Sequence, residues 1–247
     1  MRACFTILVI FLSVLIFHSS ASGQPDAIVG DTRADQALSE VIKLYDSRLG
    51  QNSFIYNGRI YNEKFMGIRG HPYFSDDYWI TGRITFQDMV FDGLQLIYEI
   101  YHDQLLLSSY NNQGRFAPII LNSGDIKNFE LHGHTFVFLE HDKVSGLAEG
   151  LYDVVYSGPD LQLYIKRKKE IIKETFGTDM WEEFRETDIC YLKKENTYYH
   201  IKNRNSVLKA LEDYKKEIKT FIKNENLDFR ADMEGALLKI VAWFESL

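Results

Sequence analysis

Apolar residues recur at every second position in many short segments between Phe54 and Ile201. The pattern is clearest from Leu94 to Tyr101, where leucine, tyrosine and isoleucine occupy alternate positions. Breaks of two residues separate such segments, at Gln87–Asp88, Asp92–Gly93 and His102–Asp103. Parallel strands need long crossover connections, so breaks this short predict antiparallel strands.

About ten such segments follow one another at a spacing near ten residues, which is typical of a meander, sandwich or barrel. Because sheets of that size tend to curl or split, we expect an α+β fold with a large, curved antiparallel β-sheet, either an open barrel or a two-layer sandwich. Asn57–Gly58 is a hairpin signal. We expect residues 170–176 to interrupt the strands as a short helix, followed by a loop that holds Trp181.

Helical spacing of apolar residues appears on both sides of this strand-rich region. It predicts an N-terminal helix from Ala34 to Leu49 and a C-terminal pair of helices against the sheet. The first of the pair carries an apolar face from Val207 to Ile222, with Asn205 or Ser206 as its N-cap. The second is expected to begin at about Phe229.

Residues 1–23 have the composition of a cleaved signal peptide. Arg2 precedes an apolar run from Ile7 to Phe17, and small residues follow at Ala21–Gly23. The run is shorter than the roughly 20 residues that span a bilayer. We therefore expect an exported protein, periplasmic or secreted, that does not span the membrane after cleavage. The expected organisation is a signal peptide (1–23), a helix plus antiparallel β domain (24–203) and the helical pair (204–247).

The chain is acidic, with 28 basic and 35 acidic side chains and a net charge of −7. Nucleic-acid binding needs a basic surface that neutralises phosphates, so we expect no nucleic-acid partner. Cys4 lies within the signal peptide, which leaves Cys190 alone and no intramolecular disulfide. Cys190 lies in an apolar run and is expected to be a buried structural thiol.

Several segments resemble a family of exported proteins from Gram-negative bacteria whose function is unknown. They are Gly70–Phe74, Leu96–Leu105, Leu151–Tyr156, Tyr164–Lys169 and the tail from Tyr198 to Phe229. The resemblance covers most of the mature chain and implies a secreted or periplasmic location. It implies no activity, catalytic residue or cofactor.

Residues 71–79 place one histidine, two acids and four aromatic residues in a loop. Aromatic rings beside carboxylates are typical of a loop that contacts a sugar or a hydrophobic ligand. Equally, the aromatic residues of such a loop can plug one end of a sheet. The candidate ligand contacts are His71, Tyr73, Asp76, Asp77 and Trp79.

A second candidate site lies in His132–Gly133–His134, followed by His141 in the next loop. Two histidines separated by one residue can clamp a zinc or copper ion on a strand. The candidate metal ligands are His132, His134 and His141. In the alternative, Gly133 forms a hairpin turn and the two imidazoles flank a surface bend.

The basic run Lys166–Lys169 is expected to be a solvated strand end that discourages edge pairing. Its alternative is contact with anionic lipid heads. The sequence contains no nucleophile elbow, zinc-protease motif, Walker A loop or dinucleotide fingerprint.

These patterns favour a non-enzymatic envelope protein that binds another molecule. We expect that molecule to be an unknown protein or a hydrophobic ligand in the envelope, and we expect no cofactor. The first alternative is a periplasmic carrier of lipids or lipoproteins, built as a half-barrel with a helical lid. The second is a hydrolase or metal-dependent enzyme that uses histidine and aspartate.

Overall fold

A computed structural model describes residues 54–111 and 113–247. It contains fourteen strands and three α-helices in these residues. The strands are β1 (Arg59–Ile60), β2 (Ile68–Arg69), β3 (Ile80–Phe86), β4 (Met89–Glu99), β5 (Gln104–Leu107), β6 (Ile119–Ile120), β7 (Ile126–Leu131), β8 (His134–Leu139), β9 (Gly150–Ser157), β10 (Leu161–Lys166), β11 (Lys169–Phe176), β12 (Asp179–Glu186), β13 (Ile189–Lys194) and β14 (Thr197–Ile201). The helices are α1 (Arg204–Ala210), α2 (Lys215–Asn224) and α3 (Met233–Phe244).

Eleven of these strands form one antiparallel sheet in the order β1-β6-β5-β4-β3-β7-β8-β9-β10-β13-β14. The sheet does not close, because β1 and β14 are its two edges. The predicted antiparallel α+β fold with C-terminal helices is therefore confirmed, whereas a barrel is not. The predicted signal peptide and N-terminal helix lie outside the described residues.

The helical prediction for residues 170–176 is wrong. These residues form β11, which pairs along its whole length with β12, so the expected loop around Trp181 is a strand as well. The hairpin turns at Gly177, whose φ of 61° favours glycine. The run of glutamate and lysine resembles a helix in composition, but opposite charges face each other across the pair, as in Lys173–Glu182 at 3.8 Å.

Two glycine positions differ from the predicted turns. Asn57–Gly58 forms no hairpin, since the following β1 pairs with the distant β6. A Cβ on Gly58 would collide with the carbonyl of Ile120, so close backbone approach explains the glycine. Asp92–Gly93 does not end a strand either, because β4 runs through it and the pairing with β3 shifts register there as a bulge.

The C-terminal helices pack on β9, β10, β13 and β14, but the described residues contain three of them instead of the predicted pair. Asn203, rather than Asn205 or Ser206, caps α1, and its side chain accepts hydrogen bonds from the amides of both of those residues. A 3-10 turn at Glu212–Tyr214 separates α1 from α2. The last helix begins after Asp232, later than Phe229, because the Asp232 carboxylate caps it.

Two large apolar clusters fill the interior. One lies between the helices and β10, β13 and β14, with Leu192, Val207 and Ile240 completely buried. The other lies under β3–β9, around Phe129 and Phe136. Among the described residues, no helix is both long and apolar enough to cross a membrane.

Candidate functional site

The loop 71–79 is fastened along β4. The amide of Phe74 donates to the Tyr98 carbonyl at 2.8 Å, and the amide of Ile100 donates to the Pro72 carbonyl at 2.9 Å. From the other side, the buried Lys169 ammonium donates to the carbonyls of His71 (3.2 Å) and Tyr73 (2.7 Å). The backbone of the loop is therefore part of the sheet's framework.

Phe74 fills the space between the loop and the β7–β8 hairpin. Its ring centroid lies 5.2 Å from those of His134 and Phe136 and 5.9 Å from that of His132. Phe74 therefore packs against the apolar cluster around Phe129 and Phe136. The same ring brings together the two segments that the sequence marked as separate candidate sites.

The five candidate ligand contacts of the loop divide between interior and surface. Tyr73 and Trp79 pack against the buried Ile97 and Leu106. His71 stacks on Tyr73, and burial together with the charge of Lys169 lowers the pKa of its imidazole.

The end of the loop lies at the surface. The Asp76 carboxylate accepts the Tyr78 hydroxyl at 3.0 Å and lies 3.6 Å from Nδ1 of His132. Asp77 is exposed. Among the residues at this end of the loop, the half-buried Asp76 and the exposed Tyr78 both contact His132 of the second candidate segment.

The histidine segment forms a hairpin turn, as one interpretation predicted. His132 and Gly133 connect β7 to β8 with φ values of 53° and 78°. His141 lies in another turn, where its Nδ1 contacts the Leu147 carbonyl at 2.8 Å. In residues 54–111 and 113–247, no three histidine, cysteine, aspartate or glutamate side chains are arranged to hold a metal ion. The described structure thus does not assemble a metal site from His132, His134 and His141.

His134 belongs to the inner face of the sheet. Its partner on β7 is Leu131, which is buried, and its Nδ1 lies 2.8 Å from Oδ2 of Asp153. A carboxylate only accepts hydrogen bonds, so Nδ1 of His134 is the donor in this contact. The contact anchors the hairpin to β9.

Asp153 is completely buried, and it is balanced by Arg167. The Arg167 guanidinium donates to Oδ2 of Asp153 from Nε (2.9 Å) and Nη2 (2.6 Å). It also pairs with Asp188 at 2.9 Å and with Glu234 of α3 at 2.7 Å. We call these four residues the inner cluster. Burial lowers the pKa of Arg167, but its hydrogen bonds to the three carboxylates outweigh this effect and raise the pKa above its ordinary value.

The inner cluster corrects the prediction of a solvated basic run. Arg167 and Lys169 are both buried, and Lys166 pairs with Asp103. The signal in the sequence was Asp153, an acid inside the otherwise apolar segment 151–156, because a buried carboxylate requires a cationic partner. Cys190 is buried as predicted, and burial raises the pKa of its thiol to about 12.

The outer face of β4, β3, β7 and β8 carries a different set of polar and charged residues. Asp92, Arg83, Glu130 and Thr135 are direct neighbours across β4, β3, β7 and β8. Directly opposed residues share a face of the sheet, and all four are exposed. We call them the outer row. Sequence reasoning missed it because the register that aligns four separate strands cannot be read from local pattern.

The outer row lies in an open groove of about 360 Å³ at the β7–β8 turn, which Thr81 and His132 also line. Arg83 pairs with Asp92 at 2.9 Å, and this hydrogen bond lowers the pKa of the Asp92 carboxyl. Thr81 accepts a hydrogen bond from the Gln95 amide at 2.7 Å, so its own hydroxyl proton is available to donate. The groove therefore presents fixed donors and acceptors to solvent.

Comparison of the chain with family models, with curated proteins and with solved structures finds no match.

Proposed function

We propose that this protein is exported to the bacterial envelope and binds, without transforming it, a small polar ligand in the groove that contains the outer row. The observation that carries the proposal is the alignment of Asp92, Arg83, Glu130 and Thr135 on one exposed face. The fastened loop 71–79 holds β4, and the hydrogen bond between Asp153 and His134 ties β8 to the inner cluster, so strands on both sides of the groove are held in place. A ligand then finds a rigid polar surface, which reduces the entropic cost of binding.

The proposal of export rests on residues 1–23. Expression of the full chain in a Gram-negative host is expected to give a periplasmic protein whose N-terminus is Gln24. A cytoplasmic protein that keeps residues 1–23 would contradict it. N-terminal sequencing of the two fractions decides between these outcomes.

Ligand binding is tested by thermal unfolding of the mature protein in the presence of single sugars, amino acids, polyamines and nucleosides. At least one compound is expected to raise the melting temperature of the wild type. Glu130→Ala should abolish that increase, whereas the control Glu149→Ala, which changes an exposed glutamate outside the groove, should keep it. No increase with any compound, or an equal increase in Glu130→Ala, would contradict the proposal.

The lipid-carrier alternative is less well supported. Such a carrier needs an apolar cavity between its sheet and its helical lid. Here apolar side chains from both elements pack against one another, with Leu161, Leu211 and Leu237 completely buried between the sheet and the helices. The cleft that remains beside Cys190 and Met233 is open to solvent and is also lined by the charged Glu186 and Asp188. This interface supports a lipid carrier less than the outer row supports binding of a polar ligand.

One contact favours a hydrolase as the second candidate. Asp153 orients His134 through Nδ1, and 36% of the His134 side chain is exposed. This is the arrangement that prepares a histidine as a general base. Hydrolysis of p-nitrophenyl acetate faster than by free imidazole, lost in His134→Gln while circular dichroism is unchanged, would favour this candidate. A rate equal in both proteins would exclude a role for His134 in that reaction.

A further inference from the structure

We propose that the ligand of the groove is a neutral saccharide of two to three rings, an inference that rests on the proposed function. The outer row contributes hydrogen-bonding groups from four neighbouring strands. At about 4.8 Å between strands, three spacings give a row of about 14 Å. That length suits a short oligosaccharide better than a single amino acid or a metabolite of similar size.

The order of groups along the row fits hydroxyls. Asp92 and Glu130 accept hydrogen bonds, Arg83 between them donates, and Thr135 does both. Sugar hydroxyls also donate and accept, so each can pair with such an alternating row. An apolar ligand would displace water from these groups without offering them hydrogen bonds, at a cost in binding free energy.

Charge disfavours ionic ligands. An anion would be repelled by two carboxylates, Asp92 and Glu130. The single guanidinium that could attract it, that of Arg83, is already paired with Asp92. A cation would meet Arg83 between the carboxylates. A neutral ligand avoids both repulsions and keeps the Arg83–Asp92 pair intact.

An exposed aromatic ring lies at the turn end of the groove. Tyr78 is 57% exposed, and its hydroxyl is held by Asp76 at 3.0 Å. Its ring centroid is 6.4 Å from that of His132, which lines the groove. An anchored aromatic face offers stacking to the apolar C–H side of a pyranose ring, while the row binds its hydroxyls.

The test is saturation-transfer NMR on the mature protein with cellobiose, maltose and N,N′-diacetylchitobiose as probes. We expect saturation of the ring protons of at least one probe. Tyr78→Ala is expected to weaken its binding about tenfold. Tyr110→Ala, which removes another exposed tyrosine outside the groove, should leave binding unchanged.

Two results would overturn the saccharide assignment. One is the absence of saturation of all three probes by a protein whose circular dichroism shows that it is folded. The other is equal binding by the wild type and Tyr78→Ala. Spermidine serves as the cationic probe: if it binds in a Glu130-dependent manner while the sugars do not, the ligand class is wrong and the proposed groove stands. If no probe or library compound binds, the proposed function fails as well.

Discussion

Two arginines lie among carboxylates on opposite faces of the same sheet, and they are in very different surroundings. The Arg167 side chain is 10% exposed and contacts Asp153, Asp188 and Glu234. The Arg83 side chain is 52% exposed and contacts Asp92, with Glu130 as its other cross-strand neighbour. The chemistry of pairing is the same, so burial decides which arginine stabilises the fold and which is available to a ligand.

The physical reason is desolvation. A buried ion pair gains little over an apolar pair of equal size, but removal of one partner leaves a charge without compensation. Removal of one residue of an exposed ion pair changes the free energy of unfolding little, because water and salt ions then solvate the remaining charge. The inner cluster is therefore expected to control stability and the outer row to control binding.

The largest effect is expected from Arg167→Met. It leaves the completely buried Asp153 beside the remaining carboxylates Asp188 and Glu234, and should lower the free energy of unfolding by about 3–5 kcal/mol. Urea denaturation followed by circular dichroism measures this change. A loss below about 1 kcal/mol would remove the distinction between the two arginines.

A smaller loss is expected from Lys169→Met. The variant leaves the carbonyls of His71 and Tyr73 without their donor, at a cost of about 1–3 kcal/mol. The amides of the loop 71–79 should also exchange hydrogen faster. Lys168→Met is the matched control, because its ammonium pairs with Glu170 at the surface. Equal exchange in both variants would show that Lys169 does not fasten the loop.

Glu99→Gln is expected to change the pH dependence of stability more than its magnitude. Burial raises the pKa of the Glu99 carboxyl above its ordinary value, although hydrogen bonds from His102 and Tyr101 oppose the shift. A folded pKa above the unfolded one gives a contribution that is present at low pH and is lost as pH rises through the folded pKa.

The wild type should therefore lose this contribution as pH increases from about 4, and Glu99→Gln should not. Glutamine keeps a side-chain carbonyl that can accept the backbone bonds of Tyr101 and His102. Urea midpoints from acid to neutral pH, with Glu149→Gln as the exposed control, measure the difference. Parallel curves for wild type and Glu99→Gln would refute the assignment.

The smallest effect on stability is expected from Arg83→Met. Arg83 and Asp92 are both exposed, so the urea midpoint should equal that of the wild type within error. Ligand-induced thermal stabilisation should nevertheless be lost. A marked fall in the midpoint would show that the outer row, like the inner cluster, holds the sheet together.

Much of the sheet was predictable because its signals are local. Alternation in Leu94–Tyr101 and the turn at Gly133 each depend on a few neighbouring residues. The β11–β12 hairpin was not predictable in this way, since its glutamates and lysines favour helix until they pair across two strands.

In the candidate site, too, the features with local sequence signals were predictable and those that depend on strand pairing were not. Local composition marked the loop 71–79 and the histidine turn, and the fold brings them together at Phe74. Composition could not reveal that Arg167 would meet Glu234 from a helix 67 residues away. Nor could it align Arg83 with Glu130, because that contact depends on the register between β3 and β7.

The most direct test of the division between the two faces is a ¹H–¹⁵N correlation spectrum of the protein, titrated with the compound that raises its melting temperature most. We expect the shifted amides to lie at residues 81–83, 92 and 130–135, and the amides of Asp153, Arg167 and Asp188 to keep their positions in the spectrum. Shifts centred on the inner cluster, with the outer row unchanged, would contradict it.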